Sequence, residues 1–177
     1  MTSHIRAFKN VLPRIAASAY VDPAACVIGD VVIGEDSSIW PMVAIRGDVN
    51  AIRIGARTNI QDGSVLHVTH EGGPLSPDGN GLFIGDDVTV GHNVVLHACT
   101  VESACLIGMG AVVLDGAVIK TGAMVGAGSV VAPGKTLEGG YLYLGTPARQ
   151  ARPLNQNEKD NLLYSSRHYV KLKNDYC

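Results

Sequence analysis

Histidine side chains give this sequence its clearest capacity for chemistry. The chain holds six histidines, and three of them, His67, His92 and His97, lie close together in its middle third. A neutral imidazole can bind a divalent metal or carry a proton near neutral pH. A single histidine is usually a surface residue or a satisfied interior one, so these three matter only if the fold brings them together.

A six-residue repeat runs through most of the chain and predicts the elements that position these histidines. Each unit opens with Val, Ile or Leu, often followed by Gly, and has a small residue four places on, as at 33–38, 107–112 and 125–130. A short fixed period is typical of a solenoid, because each unit buries its apolar face only by stacking on the next. The predicted openers are Ile15, Val21, Val27, Ile33, Ile39, Ile45, Ile54, Ile60, Leu66, Ile84, Val90, Leu96, Val101, Ile107, Val113, Ile119, Val125 and Val131.

The repeat, from about Ile15 to Leu137, resembles that of the left-handed parallel β-helix proteins. Members of that group place three hexapeptides in each triangular coil and usually assemble as trimers. Short motifs narrow the resemblance to the gamma-class carbonic anhydrases and their shorter relatives. These motifs are Arg46-Gly-Asp48, Asn59-Ile-Gln61-Asp62, His67, Gly-His-Asn-Val-Val-Leu-His at 91–97, Gly-Tyr-Leu-Tyr-Leu-Gly-Thr-Pro at 140–147, and a tyrosine-bearing C-terminal helix.

The repeat register tests this resemblance on the sequence itself. A three-residue bulge follows Ile45, and a Gly- and Pro-rich loop near residues 71–83 follows Leu66. If twelve residues, 72–83, are extruded, the 30 positions between His67 and His97 reduce to 18, one three-sided coil. The two histidines would then be neighbours on adjacent coils, roughly 4.8 Å apart. Removing the bulge as well places Arg46 in the same column.

A second column is predicted on another face. Asp62 and His92 both occupy position 3 of their hexapeptides, and the same excision places them one coil apart. Because zinc binds imidazole nitrogens at about 2.0–2.1 Å, two faces of one solenoid do not readily share an ion. We therefore expect a homotrimer with His67 and His97 from one chain and His92 from the next, and with Arg46 near Asp62 across the interface.

The resemblance also implies an activity. In that family three histidines bind a divalent metal between subunits, and metal-bound hydroxide converts carbon dioxide to bicarbonate. Zinc is the expected metal, although three imidazoles also accept Fe2+, Co2+ or Ni2+. By the same resemblance, Gln61 would orient the hydroxide. The residues expected to shape the pocket are Asn59, Arg46, Asp48 and Asp62. Tyr164 of the helix either approaches the same pocket or makes an apolar helix contact.

Two positions depart from the better-known members of the family. Val49 and His70 stand where those members have acidic residues. Val49 cannot carry a proton, whereas His70 can, because the ordinary pKa of histidine lies near about 6.5. The alternative for His70 is a solvated loop residue. These departures and the short loop favour the smaller branch of the family.

Composition limits the remaining possibilities. A net charge of -2 and a pI near 6.3 give no electrostatic reason to expect nucleic acid or an anionic membrane as partner. The first residues contain no apolar run like that of a signal peptide, and no segment has the length of a membrane span. We therefore expect a cytoplasmic protein. The four cysteines, Cys26, Cys99, Cys105 and Cys177, show no CxxC spacing, so most of them are expected to be small reduced core residues.

Two domains of unequal size are expected, a β-helix over residues 1–154 and a helix over 155–177 that covers one flank of the solenoid. Asn155 followed by Glu158 resembles a capping box, in which each residue satisfies the other's backbone N–H. Trp40 is expected to pack at a subunit interface, and Cys99 to be a buried structural thiol.

Two other functions stay open on the same fold. One is an acyl-CoA-linked enzyme, either an acetyltransferase or a thioesterase. Acetyltransferases of this fold generally need one catalytic histidine, so three histidines count against that class. The other is a non-catalytic trimeric scaffold whose metal only holds the subunits together.

Overall fold

A computed structural model describes residues 4–176 and shows an all-β solenoid with one C-terminal helix. These residues form a left-handed parallel β-helix of short strands, followed by α1 (Gln156–Asn174). The strands are β1 (Ile5–Arg6), β2 (Arg14–Ile15), β3 (Tyr20–Val21), β4 (Cys26–Ile33), β5 (Ser38–Ile39), β6 (Ala44–Ile54), β7 (Asn59–Ile60), β8 (Val65–His67), β9 (Leu82–Ile84), β10 (Thr89–Val90), β11 (Val95–His97), β12 (Thr100–Val101), β13 (Leu106–Ile107), β14 (Val112–Val113), β15 (Val118–Ile119), β16 (Met124–Val125), β17 (Val130–Val131), β18 (Thr136–Leu137), β19 (Tyr141–Leu144) and β20 (Arg149–Pro153).

The strands stack into three faces. Two faces are joined because β4 and β6 run through a corner: β6 pairs with β8 through its first residues and with β9 through its last. The first face continues from β8 through β11 and β14 to β17, and the second from β9 through β12 and β15 to β18. The third face runs from β3 through β5, β7, β10, β13 and β16 to β19, which pairs antiparallel with β20.

The predicted repeat openers form the core. Every opener from Val27 to Val131 is buried, and together they make a continuous stack of branched aliphatic side chains. Each such side chain contributes about 1.5–3 kcal/mol when fully buried. The small residues four places on, such as Ala111, Ala117 and Ala123, are also buried. In the later coils a glycine with positive φ recurs every six residues, from Gly110 to Gly134, because the corner needs a left-handed backbone.

The bulge and the loop are both present, with one correction to the loop. Val27 and Val31 are four residues apart, whereas Leu66 and Leu82, which occupy the same positions two coils later, are sixteen apart. The insertion is thus twelve residues, as expected. It ends at Gly81 rather than residue 83, because Leu82 and Phe83 already pair with β6.

The C-terminal helix lies along the third face, against β5 and β10. The expected capping box is present: the side chain of Asn155 accepts from the Glu158 N–H, and the Glu158 carboxylate accepts from the Asn155 N–H. Trp40 is buried beneath this helix, 5.6 Å from the ring of Tyr169. The expectation of Trp40 at a subunit interface is therefore wrong, since its own chain covers it. Within residues 4–176 no helix combines the length and the apolar character needed to cross a lipid bilayer.

Candidate metal centre

The register of the first face brings His67 and His97 together. The last residues of β8 and β11 pair directly, His67 with His97, as the repeat predicts. Nδ1 of His67 lies 3.2 Å from Nε2 of His97. Two ligands at 2.0–2.1 Å from one tetrahedral ion would lie about 3.3 Å apart. The separation of the two nitrogens therefore fits a shared metal.

A carboxylate contacts the far side of each of these rings. Nε2 of His67 lies 3.1 Å from Oδ1 of Asp48, and Nδ1 of His97 lies 2.9 Å from Oδ2 of Asp115. Because a carboxylate only accepts, the nitrogen facing it carries the proton. In neutral rings the two nitrogens that face each other then both lack a proton and present lone pairs to one another. This arrangement is favourable only when a cation or a shared proton lies between them.

The surroundings of His67, burial above all, favour its neutral form. Burial lowers the pKa of His67, the Arg46 charge and His97 act in the same direction, and Asp48 opposes them only in part. Burial acts to raise the pKa of Asp48, but its contacts with Arg46 and His67 outweigh burial and hold that pKa below its usual value. A neutral ring beside an ionised carboxylate is the state that a metal ligand requires.

Asp115 and Thr69 extend this cluster beyond the residues found from the sequence. Thr69 donates a hydrogen bond to Asp115, so one carboxylate contacts both His97 and the base of the loop. Burial acts to raise the pKa of Asp115, but the contacts with Thr69 and His97 outweigh it and lower that pKa. The repeat register could have predicted the position of Asp115. Leu96 pairs with Val113, so position 114 lies opposite His97 and Asp115 follows it by one residue.

His92 and Asp62 form a second cluster, at the edge of the third face. Strands β7 and β10 pair through Ile60 and Val90, and Nδ1 of His92 lies 2.9 Å from Oδ2 of Asp62. Nε2 of His92 has no partner within residues 4–176. Three histidines thus repeat one arrangement, in which an aspartate contacts one ring nitrogen: His67, His92 and His97.

Gln61 and Asn59 lie on the third face, directly before Asp62 in the sequence, and are both buried. The side chain of Gln61 donates to Asn59, and that of Asn59 donates to Thr89. Thr89 in turn donates to Ser165 of α1. Sequence reasoning missed Thr89 and Ser165, because neither the repeat nor the motif shows where the helix lies.

The remaining residues predicted for the site lie in different parts of the structure. Arg46 contacts Asp48 of its own chain, so its expected approach to Asp62 across an interface stays a prediction. Tyr164 is 65% exposed and stacks on His168. For a different helix tyrosine, Tyr169, burial raises the pKa, and the nearby negative charge of Asp62 adds to this effect.

A cleft of about 920 Å³ lies beside the first cluster. The loop forms one wall as a small hairpin, closed by a bridge between Thr69 and Asn80. His70 is exposed in this wall, and Val49 lines the cleft as well. Other apolar residues of the lining are Val68, Pro74, Leu75 and Pro133.

The described residues of one chain do not form a three-ligand metal site. Within residues 4–176 no group of three His, Cys, Asp or Glu side chains is arranged to hold an ion. The structure joins His67 to His97 and leaves His92 in the other cluster.

Comparison with known proteins shows which proteins this chain is similar to. The chain is 52% identical to Protein YrdA of Escherichia coli over 176 residues, which are 99% of this chain and 95% of that protein. It is 46% identical to gamma carbonic anhydrase 1, mitochondrial, of Arabidopsis thaliana over 93 residues, 51% of this chain and 33% of that protein. A crystal structure of a hexapeptide transferase family protein from Anaplasma phagocytophilum matches with a TM-score of 0.92 and 37% identity over the whole of both chains.

The chain belongs to the gamma-carbonic-anhydrase-like family of hexapeptide-repeat proteins. No protein-family model matches it. The match to the plant carbonic anhydrase spans about half of this chain, whereas the match to Protein YrdA, whose name states no activity, spans nearly all of it. Membership therefore sets the fold, and the type of reaction has to be argued from the site.

Proposed function

We propose that this protein is a metal-dependent hydratase that interconverts carbon dioxide and bicarbonate at a site shared between the subunits of a homotrimer. The observation that carries this proposal is the repeated contact of an aspartate with one nitrogen of His67, His92 and His97. Carboxylates in this position fix the tautomer of metal-binding histidines and orient their rings. Within residues 4–176 no other histidine has such a partner.

The division into two clusters supports a shared site. His67 and His97 lie on the first face, and His92 extends from the edge of the third face with its Nε2 unpartnered within the described chain. A second subunit packed against the first face can bring His92 of the partner subunit to the facing nitrogens of His67 and His97. We expect zinc there, and the same imidazoles would accept Fe2+, Co2+ or Ni2+.

The protein's own residues then perform defined tasks. When bound, the metal supplies a water acidified enough to attack carbon dioxide. Asp48 and Asp115 hold the two rings in the metal-binding tautomer, and Arg46 holds Asp48. Gln61 of the partner subunit orients the attacking water. His70, exposed in the cleft wall, is the proposed proton carrier to solvent.

Metal analysis of the purified protein, coupled to a carbon dioxide hydration assay, tests the proposal. We expect about one metal per chain in the wild type, and loss of both metal and activity in His92→Ala. His168→Ala, which removes an exposed histidine of the helix, is the matched control and should keep both. Protein that holds no metal after careful preparation would overturn the proposal. Metal without hydration at any pH, with trimers lost on chelation, would indicate a scaffold instead.

An acyl-CoA-linked activity is the second candidate, and the cleft is the observation that favours it. A cleft of about 920 Å³ with an apolar lining is far larger than carbon dioxide needs and lies in the range that organic ligands occupy. The structural relative named as a transferase family protein points the same way. Incubation with short acyl-CoA thioesters, with and without an amine acceptor, separates hydrolysis from transfer. Turnover that survives in His92→Ala would favour this class over the hydratase.

A further inference from the structure

A directional chain of hydrogen bonds links the C-terminal helix to Gln61. Nε2 of Gln61 donates to Oδ1 of Asn59 at 3.0 Å, and Nδ2 of Asn59 donates to Oγ1 of Thr89 at 3.0 Å. The Thr89 hydroxyl then donates to Oγ of Ser165 at 3.0 Å. Asn59, Gln61 and Thr89 are all buried. The helix is therefore in contact, through side chains alone, with a predicted residue of the site.

A backbone carbonyl determines the donor and acceptor roles in this series of hydrogen bonds. The Nδ2 group of Asn59 also faces the carbonyl oxygen of Val88, at 3.4 Å. A carbonyl oxygen can only accept, so the Asn59 atom that faces it must be the nitrogen. Oδ1 of Asn59 then faces Gln61 and requires the nitrogen of the Gln61 amide. As a result, Oε1 of Gln61 is the end of the amide left without a partner in the described chain.

We infer that Thr89 and Ser165 are positioning residues that hold Gln61 with its carbonyl oxygen toward the site. This inference rests on the proposed function, in that Gln61 faces the reacting water there. A fixed acceptor binds ligands that donate a hydrogen bond, such as water or the hydroxyl of bicarbonate. It offers nothing to an anion that carries no proton, so the helix helps to set the chemical class of ligand that the site accepts.

Hydrogen exchange at the Gln61 side chain tests the orientation without any need for activity. The chain has three glutamines, and the other two, Gln150 and Gln156, are exposed. In protein labelled with 15N-glutamine, three side-chain amides are therefore seen by NMR. If the Gln61 nitrogen points inward to Asn59, its protons should exchange more than about tenfold more slowly than those of the other two. Exchange as fast as at Gln150 and Gln156 would overturn the inference.

Variants of the chain then test the role of the helix. Thr89→Val and Ser165→Ala should speed exchange at Gln61 by roughly 2- to 12-fold, the equivalent of one net hydrogen bond. Thr89→Ser keeps the hydroxyl, so exchange at Gln61 in this variant should stay as slow as in the wild type. Ser166→Ala is the matched control, because this neighbouring helix hydroxyl contacts Asp87 and lies outside the chain of hydrogen bonds. Equal acceleration of Gln61 exchange in Ser166→Ala and Ser165→Ala would show that loosening of the helix alone explains the faster exchange, and would overturn the inference.

Activity separates this inference from the proposed function. In an active enzyme, Thr89→Val and Ser165→Ala should lower kcat for hydration by a similar factor and increase inhibition by nitrate, since a freed amide can rotate to donate. Unchanged kcat and unchanged nitrate inhibition, together with faster exchange, would refute the role in the site but leave the hydratase intact. If no metal-loaded form hydrates carbon dioxide, the proposed function fails, and the exchange rates alone decide whether the helix holds Gln61.

Discussion

At the scale of single residues, Asp115 has a role that geometry defines closely, because it contacts both His97 and Thr69. Asp115→Asn keeps the shape but removes the charge that holds the His97 tautomer. We expect metal affinity to fall by about 10- to 100-fold, as for other carboxylates behind metal-binding histidines. Competition with a chelator measures it. Asp78→Asn, on the exposed part of the loop, is the control, and equal affinities in both variants would contradict the assignment.

His67 should titrate below the usual range for histidine. Burial lowers its pKa from 6.5 and outweighs Asp48, so the folded ring takes up a proton at lower pH than the unfolded one. The unfolded state then binds more protons as pH falls below about 6.5, so the His67 contribution to the free energy of unfolding of the metal-free protein decreases with falling pH. An NMR titration of the metal-free protein gives the midpoint. A value at or above that of a free histidine would show the prediction to be wrong.

Cys99 and Cys105 should be inert in the native protein. Burial raises the pKa of Cys99 to about 12 and that of Cys105 to about 11, and both side chains lie in the core. Since the thiolate is the reactive form, neither residue should react with iodoacetamide at about pH 8.5 until the chain unfolds. Peptide mass spectrometry measures labelling at each site, with half-buried Cys26 as an internal comparison. Labelling of Cys99 in the native protein would contradict its placement.

At the scale of elements, the docking of α1 has a built-in reporter. Trp40 is the one tryptophan of the chain, and it packs against the helix residue Tyr169. Tyr169→Ala should expose Trp40, shift its emission to longer wavelength and cost roughly 2–4 kcal/mol of stability. Tyr164→Ala removes an exposed tyrosine of the same helix and should change neither quantity. Unchanged emission in Tyr169→Ala would show that the helix does not cover Trp40.

The sequence predicts the solenoid well and the helix contacts poorly, for a physical reason. A six-residue period fixes which side chains share a face, so spacing alone is enough to place His67 beside His97 and Asp62 beside His92. The helix has no such register with the strands, and its contacts depend on three-dimensional packing. Trp40 beneath Tyr169 and Ser165 beside Thr89 therefore could not be read from spacing.

At the scale of the whole molecule, the division of the site between two faces makes the trimer part of the proposed chemistry. The first face supplies two histidines and their carboxylates, and the edge of the third face supplies His92. In the proposed trimer, each chain would contribute to two sites, one on each of its sides. A closed trimer would give every chain both roles, whereas an isolated chain would hold two ligands and bind metal weakly.

Mixed trimers test this division directly. His67→Ala chains keep His92, and His92→Ala chains keep His67 and His97, so neither homotrimer has a complete site. Random mixing at equal amounts should restore about one quarter of the sites, because a complete site needs a His92→Ala chain on one side and a His67→Ala chain on the other. Metal content and hydration rate should both recover to about one quarter of the wild-type values. Mixing His67→Ala with His97→Ala chains is the control. Both of these defects lie on the first face, so every site in such a mixture lacks a ligand and no recovery is expected.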